Sequence, residues 1–178
     1  LLGGHPDHRK IPGIEASTGS LGHGLPIAVG IASALKIKKQ SQKTIVIMGD
    51  GEINEGSVWE AAISASNNHL NNLIVIIDHN KQQAYGNSKN FANLHPLEDK
   101  WKSFGFLTHN IDGHDLKKIR QTFKKLKFNI KKPNLIILNT VKGKGIREIE
   151  NNPNWHHKSK IGLEEISNMK SSIRGNLR

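Results

Sequence analysis

The apolar run Thr44–Met48 (TIVIM) stops at Gly49-Asp50-Gly51, and Glu52, Glu55 and Glu60 follow closely. The run Leu73–Asp78 (LIVIID) further on also ends in polar residues: His79, Asn80, Lys81 and Gln82. If the two runs are neighbouring parallel strands, Asp50 and Asn80 converge at one point. One carboxylate, one amide oxygen and nearby backbone carbonyls form a hard-oxygen set. Mg²⁺ uses such sets when phosphate oxygens complete its octahedron. Gly49 and Gly51 allow a tight turn and a close approach by a ligand. A helix beginning near Glu55 or Gly56 would aim its N-terminal amides at the same place, which favours an anion. The two strand ends therefore read as a Mg²⁺-diphosphate anchor. The competing reading is an ordinary strand-to-helix turn with Asp50 as the helix N-cap. The second polar strand end favours the anchor.

The elements that must position these residues are legible as alternating patterns. Thr44–Met48, Leu73–Asp78 and Leu135–Val141 are continuous apolar runs, as expected of parallel strands covered on both faces. A weaker strand is expected around Phe106–Ile111. Helical patterns fall at Leu25–Lys38, Gly56–His69 and Pro96–Phe104. A basic helix is expected within residues 114–132. There Leu116, Ile119, Phe123, Leu126 and Ile130 recur at helical spacing as one buried stripe, and lysines fill the outer face. Strand, helix and strand in alternation predict an α/β fold: a three-layer α/β/α domain with a mostly parallel sheet. Ligands of such sheets sit beyond the carboxyl ends of the strands.

The chain has 178 residues, enough for a single domain with a substantial core. It has no cysteine, so disulfides, thiolate metal sites and cysteine nucleophiles are excluded. No apolar run is long enough to span a membrane, no signal peptide is visible, and a cytoplasmic location is the expectation. The formal net charge of +11 raises nucleic-acid binding as a possibility. No nucleic-acid motif accompanies the charge and aromatic residues make up only 5%, so the lysines read as solvated faces.

Five stretches in order carry a resemblance. They are GGHPDHRKIPGIEASTGSLGHGLPIAVGIASA (3–34), GDGEINEGSVWEAAISAS (49–66), LIVIIDHN (73–80), IDGHD (111–115) and NPNWHHK (152–158). GDG, then twenty-eight residues, then Asn80 resembles the thiamine diphosphate binding motif. The whole text resembles transketolase, most closely the short amino-terminal subunit of split transketolases. The resemblance implies that Asp50 and Asn80 are side-chain metal ligands and that Gln82 offers a main-chain carbonyl to Mg²⁺, or to Ca²⁺ or Mn²⁺ in its place. It implies that Gly51 meets the diphosphate through its backbone and that Gly19, Ser20 and Leu21 meet the aminopyrimidine ring. Glu55 and Glu60 match acids near the subunit boundary that link two active sites. His5 matches a histidine touching substrate and cofactor, and His156 one touching diphosphate and substrate. His157 adjoins His156 and leaves the register between them open. Ser159-Lys160 stands where the family usually has Ala-Pro. His8, His69, His79, His95 and His109 read as solvated or capping residues.

The activity implied is transfer of a two-carbon ketol unit from a ketose phosphate to an aldose, as in the pentose phosphate pathway or a specialised sugar route. The family's activating glutamate lies in a pyrimidine-binding domain, and no second α/β unit is visible here. The resemblance therefore implies a partner subunit carrying that domain, in a dimer or heterotetramer. The family's amino-terminal part, with a further cofactor-contacting histidine, is expected to be missing before Leu1. The chain alone is expected to be inactive. The alternatives are another thiamine diphosphate enzyme, such as deoxyxylulose phosphate synthase or a 2-oxo acid dehydrogenase component, and a non-catalytic cofactor-binding remnant.

Overall fold

Helix α1 (Gly24–Ile37) leads into strand β1 (Thr44–Gly49), a 3-10 turn (Glu52–Asn54) and helix α2 (Gly56–Asn67). Strand β2 (Leu73–His79) follows, then a two-residue-per-arm antiparallel ladder of β3 (Gln82–Gln83) and β4 (Gly86–Asn87). Helix α3 (Leu97–Ser103), β5 (Leu107–Asp112), α4 (Leu116–Lys125) and β6 (Asn134–Asn139) come next. A 3-10 turn (Pro153–Trp155) and α5 (Leu163–Gly175) complete the order. This computed structural model describes residues 5–83, 86–87, 94–156, 158 and 160–175. Its main sheet is wholly parallel in the order β1-β2-β6-β5. The fold is thus the α/β class expected. No helix among the described residues is long and apolar enough to cross a membrane.

The sheet brings the two polar strand ends side by side, because β1 and β2 pair in a register that sets Gly49 opposite Asp78. One face of the sheet carries the larger core. Val46, Met48, Leu73, Val75, Ile77, Leu135 and Ile137 pack there with Leu25, Ala28 and Ala32 of α1 and Val58, Ala61, Ala62 and Ala65 of α2. The alanines let both helices lie close, and such interiors are packed as densely as organic crystals. Trp101 of α3 is fully buried, 4.9 Å edge-on from Phe106 and 5.2 Å from Trp59. Aromatic pairs of this kind add about 0.5–1.5 kcal/mol beyond their burial.

The opposite face departs from expectation in two ways. Ile74, Ile76 and Ile136 are covered there by Leu126, with Ile111, Phe128 and Leu138 packed alongside. The cover stops short of β1, whose outward residues Ile45 and Ile47 are 53% and 69% exposed. β1 therefore alternates, where coverage on both faces was expected, because it is the sheet's edge strand. The basic segment also corrects the sequence reading. Its helix ends at Lys125, with Leu116 80% and Phe123 38% exposed, so no continuous buried stripe exists. The side chain of Asn134 ends the helix by taking both polar groups of Lys127. Its Nδ2 donates to the Lys127 carbonyl at 3.0 Å, and its Oδ1 accepts from the Lys127 N–H at 3.4 Å. Leu126 turns extended and reaches the sheet as an isolated plug. The start of α4 is fixed by Asp115, whose carboxylate accepts from the N–H groups of Lys117 and Lys118.

Candidate functional site

Asp50 sits just beyond β1 and is 4% exposed. Its N–H donates to the Asp78 carbonyl at 3.1 Å, which continues the β1–β2 ladder by one residue. Its Oδ2 accepts from the N–H of Lys81 at 2.7 Å. Asp50 caps no helix: α2 begins at Gly56 with Glu55 at its N-cap position, and the intervening 3-10 turn starts from Gly51. The ordinary-turn reading is thereby replaced by a carboxylate that reaches across to the next strand's end.

The turn after β2 is built to receive it. Lys81 has φ +64°, the left-handed conformation, which points its N–H back at Asp50. Asn80 Oδ1 accepts from the Gln82 N–H at 3.0 Å, and Asn80 Nδ2 donates to Asp78 Oδ2 at 3.2 Å. Asp78 Oδ1 in turn accepts from the Thr140 hydroxyl just after β6. Asp50, Asn80 and Gln82 are thus gathered at adjoining strand ends, with Asp78 and Thr140 bracing Asn80 from behind. Neither brace was singled out from the sequence, because Thr140 is sixty-two residues from Asp78 in the chain.

The residues present suit a hard cation beside an anion. Gln82 Oε1 is buried and has no hydrogen-bond partner among the described residues. Buried oxygens are seldom left so, and one at a carboxylate-lined turn fits a missing electropositive neighbour. A Cβ on Gly51 would lie 2.8 Å from Gln83 Cβ, so the backbone there approaches the 82–83 strand as only glycine permits. No three His, Cys, Asp or Glu side chains gather as a metal cage among the described residues. A cation here would use one carboxylate and neutral oxygens, and would depend on a ligand to complete its shell.

The 18–22 turn lies against this region. Gly22 is buried with φ +80°, and its N–H donates to Glu52 Oε1 at 2.9 Å. The Ser57 hydroxyl donates to the Gly22 carbonyl at 2.8 Å. Gly19 has φ +143° and lies under the His5 ring, where a Cβ would meet His5 Cδ2 at 3.0 Å. Ser20 and Leu21 are exposed. Sequence reasoning overlooked Glu52 and Ser57; the signal available was a third acid directly after GDG.

Other expected residues fall elsewhere. Glu55 stands at the mouth of α2 with its Cβ close to Gly22, and the residue is exposed. Glu60 faces outward from α2, and no hydrogen bond joins the two acids among the described residues. His156 is half-buried at the end of the 3-10 turn Pro153–Trp155, on the loop that follows β6. His157 lies outside the described residues. His79, expected to be solvated or capping, is instead buried at 8% exposure. Its Nδ1 lies 3.1 Å from Asn139 Oδ1 on β6. His109 is half-buried. Burial first, and the Lys125 charge second, hold its imidazole below the ordinary histidine value.

Comparison with known proteins identifies the family. The family described as "Transketolase, thiamine diphosphate binding domain" matches residues 2–176. An apulose-4-phosphate transketolase subunit from Actinobacillus succinogenes is 47% identical over 163 residues, covering 92% of this chain and 59% of that protein. The 6-deoxy-6-sulfo-D-fructose transketolase subunit SqwG of a Clostridium species is 43% identical, covering 82% of this chain and 53% of that protein. The chain thus spans little more than half the length of these relatives. The crystal structure of transketolase from Campylobacter jejuni superposes with a TM-score of 0.83 at 31% identity, covering 91% of this chain and 26% of that one. The chain belongs to the transketolase family, within its thiamine diphosphate binding domain.

Proposed function

We propose that this chain is the diphosphate-anchoring part of a transketolase that moves a two-carbon ketol unit from a ketose phosphate to an aldose acceptor. The observation that carries the reading is the buried Asp50 carboxylate, reaching from the end of β1 to the Lys81 N–H in the turn after β2. Residues 1–178 act as one cofactor-binding unit. Asp50, Asn80 and the Gln82 main chain hold Mg²⁺, and Gly51 meets the diphosphate. Gly19, Ser20 and Leu21 face the aminopyrimidine ring. Bound thiamine diphosphate supplies the carbanion chemistry of carbon–carbon bond cleavage.

The chain's own groups do the rest. A buried carboxylate already fixed by the Lys81 N–H is preorganised, so little reorganisation accompanies cation capture. His5, stacked on Gly19, and His156 hydrogen-bond sugar hydroxyls and pass protons to and from them. Glu55 and Glu60, both exposed, lie near a subunit boundary and link two active sites by hydrogen bonds. Relatives named as subunits support a partner, here one carrying the pyrimidine-binding domain in a dimer or heterotetramer. The substrates are sugar phosphates, met in the cytoplasm.

The test is ketol transfer by the chain assembled with its partner, supplied with thiamine diphosphate and Mg²⁺. Turnover with a ketose phosphate and none with pyruvate is expected, and the isolated chain should be inactive. Pyruvate-dependent turnover would instead assign a 2-oxo acid enzyme or a deoxyxylulose phosphate synthase. Cofactor binding with no turnover on any donor would assign a non-catalytic remnant.

A further inference from the structure

The segments proposed to meet the two ends of the cofactor are far apart in sequence. Residues 18–22 face the aminopyrimidine end and residues 49–56 the diphosphate end. They are joined at one residue. Gly22 has its N–H on Glu52 Oε1 at 2.9 Å and its carbonyl on the Ser57 hydroxyl at 2.8 Å, so both of its backbone polar groups are taken by the GDG side. Glu52 lies in the 3-10 turn that starts from Gly51, and Ser57 in the first turn of α2. Gly22 has no space for a side chain: a Cβ would lie 2.6 Å from both Glu55 Cβ and Ser57 Oγ. Among the described residues, the rest of the turn makes only local contacts: Gly19 lies against the His5 ring, and His23 Nδ1 is 3.1 Å from the Leu21 carbonyl. Thr18 donates its N–H to the Pro6 carbonyl at 3.2 Å, and Ser20 and Leu21 are exposed.

We propose that Glu52 and Ser57 are positioning residues that clamp Gly22 and so fix the aminopyrimidine loop at a set distance from the diphosphate anchor. The inference rests on the thiamine diphosphate reading above. Neither residue touches the cofactor; each acts through the 18–22 turn. The Glu52 bond is the stronger arm, because an N–H donated to a carboxylate is roughly twice as strong as a neutral pair. A ligand with both ends should feel the clamp, and a ligand with the diphosphate end alone should not.

The test uses the native chain in complex with its partner. Calorimetry with Mg²⁺ compares thiamine diphosphate with inorganic diphosphate for wild type, Glu52→Ala, Glu52→Gln and Ser57→Ala. Glu52→Ala should weaken thiamine diphosphate by about tenfold, the usual scale for one lost charge-assisted hydrogen bond. Inorganic diphosphate should change by less than about twofold on the same grounds. Glu52→Gln keeps an acceptor oxygen and should recover most of the affinity. Ser57→Ala should show the same selective loss in smaller measure, and it stands in if Glu52→Ala does not fold. Hydrogen exchange at the Gly22 amide, read without ligand, should quicken in Glu52→Ala and not in Glu52→Gln. Equal losses for both ligands, no loss for either, or unchanged Gly22 exchange would overturn the clamp. A wild-type assembly that binds no thiamine diphosphate would overturn the underlying reading, while the Gly22 exchange still decides whether the clamp exists.

Discussion

Gly22 and Gly13 offer a matched pair for weighing backbone strain against crowding. Both adopt the left-handed region, at φ +80° and +85°. A Cβ at Gly13 meets nothing within 4 Å, whereas one at Gly22 meets Glu55 Cβ and Ser57 Oγ, both at 2.6 Å. Gly13→Ala therefore carries only the conformational term, about 1–2 kcal/mol for an L-residue in that region. Gly22→Ala adds overpacking of about 1–3 kcal/mol, since the Glu55 Cβ cannot swing aside as a flexible side-chain end would. It also displaces the hydroxyl that donates to the Gly22 carbonyl. The total for Gly22→Ala is about 2–5 kcal/mol, against about 1–2 kcal/mol for the control. Urea denaturation followed by tryptophan fluorescence suits the comparison, because Trp101 lies in the core that α2 helps to build and Trp59 packs against it. A Gly22→Ala variant no less stable than Gly13→Ala would refute the close packing of the 18–22 turn on the GDG segment.

Asp50→Ala removes the carboxylate and leaves the Lys81 N–H without its acceptor, a loss of about 1–3 kcal/mol. It should also abolish the dependence of cofactor binding on Mg²⁺, which a titration of the assembled protein would read. The pH dependence of stability has a definite sign at His109. Burial and Lys125 depress its folded pKa below the ordinary 6.5, so the unfolded chain takes up the proton first as pH falls. That contribution is complete above 6.5 and is lost as pH drops through the folded value, and His109→Gln should flatten the decline that sets in below pH 6.5. Glu98 acts lower on the scale. The Lys102 hydrogen bond is the chief cause of its lowered pKa, helped by Asn110 and Thr108. Its stabilising effect is present above the ordinary 4.5 and is lost as pH falls through the folded value, so Glu98→Gln should blunt acid unfolding.

The central strands were legible because β2 and β6 are apolar without interruption, the pattern expected of a strand covered on both faces. β1 carries a similar run, yet its outer isoleucines lie open, since composition does not distinguish an edge strand from a central one. The convergence of Asp50 with the 80–82 turn followed from two polar strand ends and the parallel-sheet rule. The basic helix was overextended because the apolar spacing persists past Lys125, while the capture of Lys127 by Asn134 leaves no periodic trace. His79 looked like a turn residue, and its burial depends on Asn139, sixty residues away. The Glu52 clamp was invisible for the same reason: its partner Gly22 lies thirty residues upstream. Long-range side-chain bonds to the backbone are set by tertiary packing, and sequence patterning reports mainly on local period.

The most direct test of the anchor is an anomalous diffraction map of the assembled protein crystallised with thiamine diphosphate and Mn²⁺. A single peak about 2.0–2.4 Å from an Asp50 carboxylate oxygen and from Asn80 Oδ1, with diphosphate oxygens completing its shell beside Gly51, is the expected result. A cation bound away from the ends of β1 and β2, or a cofactor whose diphosphate lies apart from Gly51, would contradict it.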